Sequence, residues 1–135
     1  MLFNPIDHLE AIKHGKINEP LAKAKYEKAT DVKVYEMGIV VKTSMPWLRA
    51  SPDGIFYGHD KKPCLLEIKS PFGSVDKEEV EVSYLDTNGN LKPGSSEFMQ
   101  AQIQMFVCNV EKCHFFIDHP KKPKCIEIHL EKDFC

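Results

Sequence analysis

The residues of this chain best suited to chemistry are two acids and a lysine near its middle. Asp53 lies in Ser51-Pro52-Asp53-Gly54, and Glu67 and Lys69 lie in Leu66-Glu67-Ile68-Lys69-Ser70-Pro71. Side chains two apart on a strand share a face, so Leu65, Glu67 and Lys69 should point one way and Cys64, Leu66 and Ile68 the other. The second set faces a core, and the first mounts an acid and a base at fixed spacing on a rigid element. Each piece alone has a plain reading. Pro-Asp-Gly between apolar runs is a turn signature, with Pro setting φ, Asp bonding its own backbone and Gly permitting positive φ; Glu-x-Lys is an ordinary pair on a solvated strand face. Together, joined through Gly58-His59-Asp60-Lys61-Lys62-Pro63, they describe a hairpin with both carboxylates on one edge. Carboxylates held together repel and call for a cation, and hard oxygen ligands favour Mg²⁺ or Mn²⁺ over Zn²⁺. Such a site suits phosphodiester hydrolysis. Asp53 and Glu67 would hold the ion with the backbone carbonyl near Ile68, and Lys69 would orient or deprotonate the attacking water.

This Asp, Glu-x-Lys pattern resembles the PD-(D/E)xK nuclease superfamily, and its surroundings resemble the lambda exonuclease and YqaJ-like viral recombinase branch. Four places carry the resemblance, in order. Gly15-Lys16-Ile17-Asn18-Glu19-Pro20-Leu21-Ala22, ending near Tyr26, is similar to the Gly-x-x-x-Glu helix of that branch. Ala50 to Gly54 and Leu66 to Pro71 match its metal motifs. Met99-Gln100-Ala101-Gln102-Ile103-Gln104-Met105-Phe106-Val107 is similar to its Gln-x-Gln helix. The resemblance implies a DNA nuclease with Asp53 and Glu67 as metal ligands, Lys69 as catalytic base, Glu19 as a supporting acid, and substrate contacts from Gln100, Gln102, Ser51 and Ser70. It also implies assembly into a ring, action from 5′ to 3′ on double-stranded ends, and a single-strand annealing protein as partner. Read without the resemblance, Glu19 is an acid in a first helical turn, favoured by the macrodipole, with Asn18 as N-cap and Pro20 at ease beside it. The glutamines read as a polar helix face on which Gln100 and Gln104 lie four apart and Gln102 on a different side.

Elements that must position these residues can be read from periodicity and punctuation. Asn4 caps a helix to about Lys13, Gly15 stops it, and a second helix runs from about Asn18 to Ala29. Asp31 to Thr43 alternates apolar residues as a strand bent near Gly38, and Leu48 to Tyr57 is a strand interrupted at Pro52-Asp53-Gly54. Cys64 to Ser70 is a third strand. Phe72 to Gly94 is polar and rich in turn residues, with a short helix expected from Asp76 to Leu85. Ser95 or Ser96 caps the glutamine helix, which runs to about Cys108, before strands at Cys113 to Asp118 and Cys125 to Leu130. The order fits an α/β (α+β) fold with a restriction-endonuclease-like core, a central mixed β-sheet flanked by helices.

At 135 residues, with 42% hydrophobic and 28% charged content, the chain has the composition of one globular domain spanning 1–135. The resemblance implies that it lacks the N- and C-terminal extensions of the branch. Its apolar runs are too short to span a bilayer and Met1 to Pro5 is not a signal peptide, so an intracellular protein is expected. Five cysteines without a Cys-x-x-Cys pair fit reduced thiols, and Cys113, His114 and His119 read as packing and surface residues rather than a zinc site. A net charge of −2 argues against gripping DNA by global attraction, so a DNA surface must be local. Candidate clusters are Lys61-Lys62, Lys121-Lys122 with Lys124, and Lys23, Lys25 and Lys28. Two rival readings remain: a structure-selective endonuclease of resolvase type, and a noncatalytic DNA-end or protein-binding module on the same fold.

Overall fold

The computed structural model describes residues 19–71 and 78–131; the helix expected from Asn4 to Lys13, the Asn18 cap and Cys135 lie outside them. A helix covers 19–30 (α1), followed by strands Val40–Lys42 (β1), Met45–Ala50 (β2), Gly54–Tyr57 (β3) and Pro63–Lys69 (β4). Helix Ser96–Cys108 (α2) then leads to strands Lys112–Ile117 (β5) and Lys124–His129 (β6). The main sheet has the order β3-β4-β5-β6, and β1 with β2 forms a separate antiparallel hairpin. Among the described strands, only β4 and β5 pair in parallel. A parallel pair needs a crossover, and α2 with the connection before it supplies that crossover. The mixed sheet flanked by helices is the architecture expected from the order of elements.

The helix faces explain the layering. Ala22 and Tyr26 lie one helical turn apart and pack with Val34, Phe56, Cys64, Leu66, Ile68 and Phe116 on one side of the sheet. The Tyr26 ring meets Phe56 and Phe116 with centroids 5.5 and 5.4 Å apart. On the other side, Ala101 and Met105 of α2 pack over Leu65, Cys113, Phe115, Ile117 and Ile128. The central strand β4 is therefore covered on both faces, whereas the sequence assigned a core only to the face of Cys64, Leu66 and Ile68. A strand that pairs in parallel beneath a crossover helix is enclosed on both sides, and Cys64-Leu65-Leu66-Glu67-Ile68 is buried throughout.

Three further expectations change. Asp31 to Thr43 is a strand only at β1, with a single bridge from Tyr35 to Ile55. The chain leaves α1 through Asp31 at φ 55°, and the Glu27 carboxylate accepts the Val34 N–H at 2.8 Å, which fixes the exit. The expected strand from Leu48 to Tyr57 is divided at 51–53 between two sheets. Residues 78–85, the described part of the helix expected from Asp76, contain no helix. There Asp86 Oδ1 accepts the N–H groups of Asn88 and Asn90 at 2.9 and 3.0 Å, and Leu85 bridges to Leu91, so side-chain-to-backbone bonds build a turn instead. Helix α2 matches its expectation closely. Ser95 is its N-cap, accepting the Phe98 N–H at 3.2 Å, and Asn109 closes it in the left-handed conformation.

Candidate active site

Gly54 pairs with Leu66 across β3 and β4, so the register places Asp53 opposite Glu67. The Asp53 carboxylate accepts the backbone N–H of Ile68 at 2.6 Å, so it extends the ladder one step before the first residue of β3. In a strand the N–H and C=O of one residue face the same edge, and the next carbonyl, that of Lys69, faces β5 and accepts the Asp118 N–H at 2.8 Å. The Ile68 carbonyl thus lies on the same edge as Asp53. Gly54 is needed here for closeness, because a Cβ would collide with Val34 Cγ1 and sit 3.2 Å from the Tyr35 carbonyl oxygen. The sequence had suggested a positive φ for it; among the described glycines that holds only for Gly89.

Glu67 is 5% exposed and accepts a hydrogen bond from the Gln104 side-chain amide of α2. Burial pushes its carboxyl up to about 9, helped by a hydrogen bond to Asp53 and by the Asp53 charge, and opposed by Lys69 and by the Gln104 bond. At neutral pH Glu67 therefore keeps its proton in the metal-free fold and shares it with Asp53. Glu19, the first described residue of α1, also meets Asp53. Its carboxyl is raised by partial burial and then by the Asp53 hydrogen bond and charge, with Lys23 opposing. Asp53 thus joins an acid from the helix on one side of the sheet to an acid on the central strand. Lys69 follows on the Glu67 face, half-buried, and is near enough for its charge to favour ionised Glu67.

Two clefts meet at this point. One of about 420 Å³ is acidic and includes Glu19, Glu27, Glu36 and Asp53. The other, of about 330 Å³, includes Arg49, Ser51, Ser96, Gln100 and Gln104. Ser51 lines both. Gln100 is exposed on the second cleft, whereas Gln102 is fully buried and stitches α2 to the end of β6. Its amide nitrogen donates to the His129 carbonyl and its oxygen accepts the Glu131 N–H, both at 2.9 Å. The glutamine that reaches the acids is Gln104, which the sequence reading left on a polar face; its signal was the i, i+4 spacing from Gln100. The Ser70 hydroxyl is buried with no hydrogen-bond partner among the described residues.

Among the described residues, no three His, Cys, Asp or Glu side chains already converge as a cage for a metal. The donor set nevertheless fits a hard divalent ion. Two carboxyls touch, one stays protonated only because burial and its neighbour make a second negative charge costly, and a carbonyl shares their edge. The zinc alternative has no support in the geometry. Cys113 packs beneath α2, His114 lies on the opposite face against the Tyr26 hydroxyl, and His119 is buried in its own turn, where Nδ1 accepts the N–H groups of Lys121 and Lys122. The four described cysteines are free.

Residues 1–111 match the YqaJ-like viral recombinase domain, and the chain belongs to that family. The fold is shared with solved structures of an alkaline exonuclease, LHK-Exo, from Laribacter hongkongensis. One is similar at 24% identity with a TM-score of 0.70, and another, in complex with dAMP, at 25% with 0.72. Each comparison covers 97% of this chain, which spans 61% of the exonuclease. The crystal structure of SSO0001 is similar at 15% identity, with a TM-score of 0.52 over 87% of this chain and 52% of that one. No curated protein matches. No helix among the described residues is long and apolar enough to cross a membrane.

Proposed function

We propose that this domain is a metal-dependent DNA nuclease, acting 5′ to 3′ as an exonuclease on double-stranded ends, in recombination or viral DNA replication. The observation that carries the reading is the contact between Asp53 and Glu67, clamped by the Ile68 N–H on a doubly buried strand and flanked by Lys69. Family membership and the alkaline exonuclease fold support it, as does the deoxynucleotide bound to that exonuclease.

Asp53, Glu67 and the Ile68 carbonyl would hold Mg²⁺, with Mn²⁺ able to substitute, and Glu19 would support them from α1. When bound, the ion supplies Lewis acidity at the scissile phosphate and a more acidic water. Glu67 would hold the ion as the carboxylate, its proton released to solvent, and Gln104 would keep that carboxylate oriented. Lys69 would orient the attacking water and, as the free amine, would take its proton, the enclosed strand holding its nitrogen at fixed distance from the pair. Ser51 and Gln100, which line the second cleft, would meet the approaching phosphate. Gln102 acts on the substrate only through the position of α2. Closure into a ring and hand-over of a 3′ strand to an annealing protein belong to the same reading.

The test is incubation with linear duplex bearing a 5′-phosphate and with closed circular DNA, in Mg²⁺, Mn²⁺ or EDTA. Metal-dependent loss of the linear substrate alone is expected. Cutting of the circle would instead establish an endonuclease, and no cutting by folded protein would overturn the nuclease reading in favour of a noncatalytic module.

A further inference from the structure

The sequence contains a single tryptophan and a single arginine, Trp47 and Arg49, and both fall on β2. Two apart on one strand, they project from the same face. Trp47 is 75% exposed and Arg49 is also exposed, and among the described residues Arg49 has no ion-pair partner. Val41, opposite Arg49 on β1, is exposed as well. An indole held open to water is an unfavourable place for the largest apolar side chain unless something else covers it.

Both the position and the charge of this face indicate what does. Strand β2 runs directly into the turn that carries Asp53, and Arg49 lines the same cleft as Ser51 and the Glu67 partner Gln104. From Met37 to Pro52 the chain has two cations, Lys42 and Arg49, and no acid, although the protein as a whole is net negative. Three of the eight lysines that the sequence offered as DNA contacts are held by acids. Lys25 binds Asp118 at 2.9 Å, Lys121 binds Glu78 at 2.8 Å and Lys23 lies 3.8 Å from Glu36. We infer that Trp47 and Arg49 form the track for the DNA strand entering the site: Arg49 holds a phosphate of that strand and Trp47 stacks on an unpaired base at the DNA end. Guanidinium binds phosphate with directional N–H donors, and aromatic side chains accept any base, so the track secures a strand without reading its sequence.

This inference rests on the nuclease reading, and its test separates the two. Binding of a duplex with a short single-stranded end is followed in EDTA by anisotropy of labelled DNA and, in parallel, by emission from Trp47, the one tryptophan in the chain. Stacking quenches that emission in step with anisotropy. Arg49→Ala weakens binding about tenfold and lowers the salt slope by about one counterion, and Trp47→Ala weakens it about as much while Trp47→Phe restores most of the loss. DNA that binds with unchanged Trp47 emission, or with equal affinity for wild type and Arg49→Ala, overturns the track and leaves the nuclease reading intact. A blue shift that grows with protein concentration and not with DNA also overturns it, because a second copy of the chain would then cover this face. Flat anisotropy together with no cleavage in Mg²⁺ overturns both.

Discussion

Replacing Glu67 by Gln should stabilise the metal-free protein at alkaline pH while removing its activity. Glutamine has the shape of the protonated acid. Its oxygen still accepts from Gln104 and its amide donates to Asp53, as the shared proton does in the native pair. Glu67 is raised from 4.5 to about 9. Below the lower value both folded and unfolded chains hold the proton, so its contribution is fully present. Between the two values the unfolded chain releases a proton that the fold retains, and stability falls as pH rises. Each pH unit in that window costs about 1.4 kcal/mol, so three units, to pH 7.5, amount to about 4 kcal/mol. That is a large share of the roughly 5–15 kcal/mol that holds a domain together. Urea unfolding in EDTA, at pH steps from 5 to 9, measures it. The midpoint of wild type should fall relative to that of Glu67→Gln across the series, and Mg²⁺ should raise the midpoint of wild type but not of the variant. Parallel pH profiles would refute the account of a proton held between Asp53 and Glu67.

Three other outcomes follow from the same geometry. Gln104→Leu strands a buried carboxyl without its donor, and should cost about 1–3 kcal/mol in urea unfolding and lower the affinity for Mn²⁺ by about tenfold or more in calorimetry. Gly54→Ala, which drives a methyl into Val34, should cost about 1–3 kcal/mol of stability, and Gly54→Ala combined with Val34→Ala should recover part of it. Lys69→Ala should retain Mn²⁺ binding and fold yet cut DNA at least about a hundredfold more slowly, since a general base typically contributes that much or more.

The positions that the sequence made legible are those where local rules and the fold agree. Alternation along Cys64 to Lys69 assigned the faces of β4 correctly, with Leu65 packing under α2 and Leu66 and Ile68 under α1. The register that sets Asp53 opposite Glu67 follows from the hairpin. What alternation does not reveal is the partner on the far side of a strand. The near-continuous apolar run around Glu67 marked a strand enclosed on both faces, and that enclosure, rather than spacing, raises its carboxyl. Gln104 escaped notice because its role depends on how α2 lies across the sheet, a matter of crossover geometry. The strand expected from Asp31 to Thr43 had the right residue types, but a strand also needs a neighbour, and only Tyr35 and Val40–Lys42 find one. Trp47 and Arg49 were visible as the sole residues of their kinds; exposure on one face, which gives them meaning, was not.

The central claim is that Asp53, Glu67 and Lys69 cut DNA with a divalent ion. Its most direct test is release of nucleotides from an end-labelled linear duplex by wild type, Glu67→Gln and Lys69→Ala, each shown to be folded, with Mg²⁺ and with EDTA. The account predicts release by wild type in Mg²⁺ alone, and none above background from Glu67→Gln. Equal release in EDTA, or from Glu67→Gln in Mg²⁺, would contradict it.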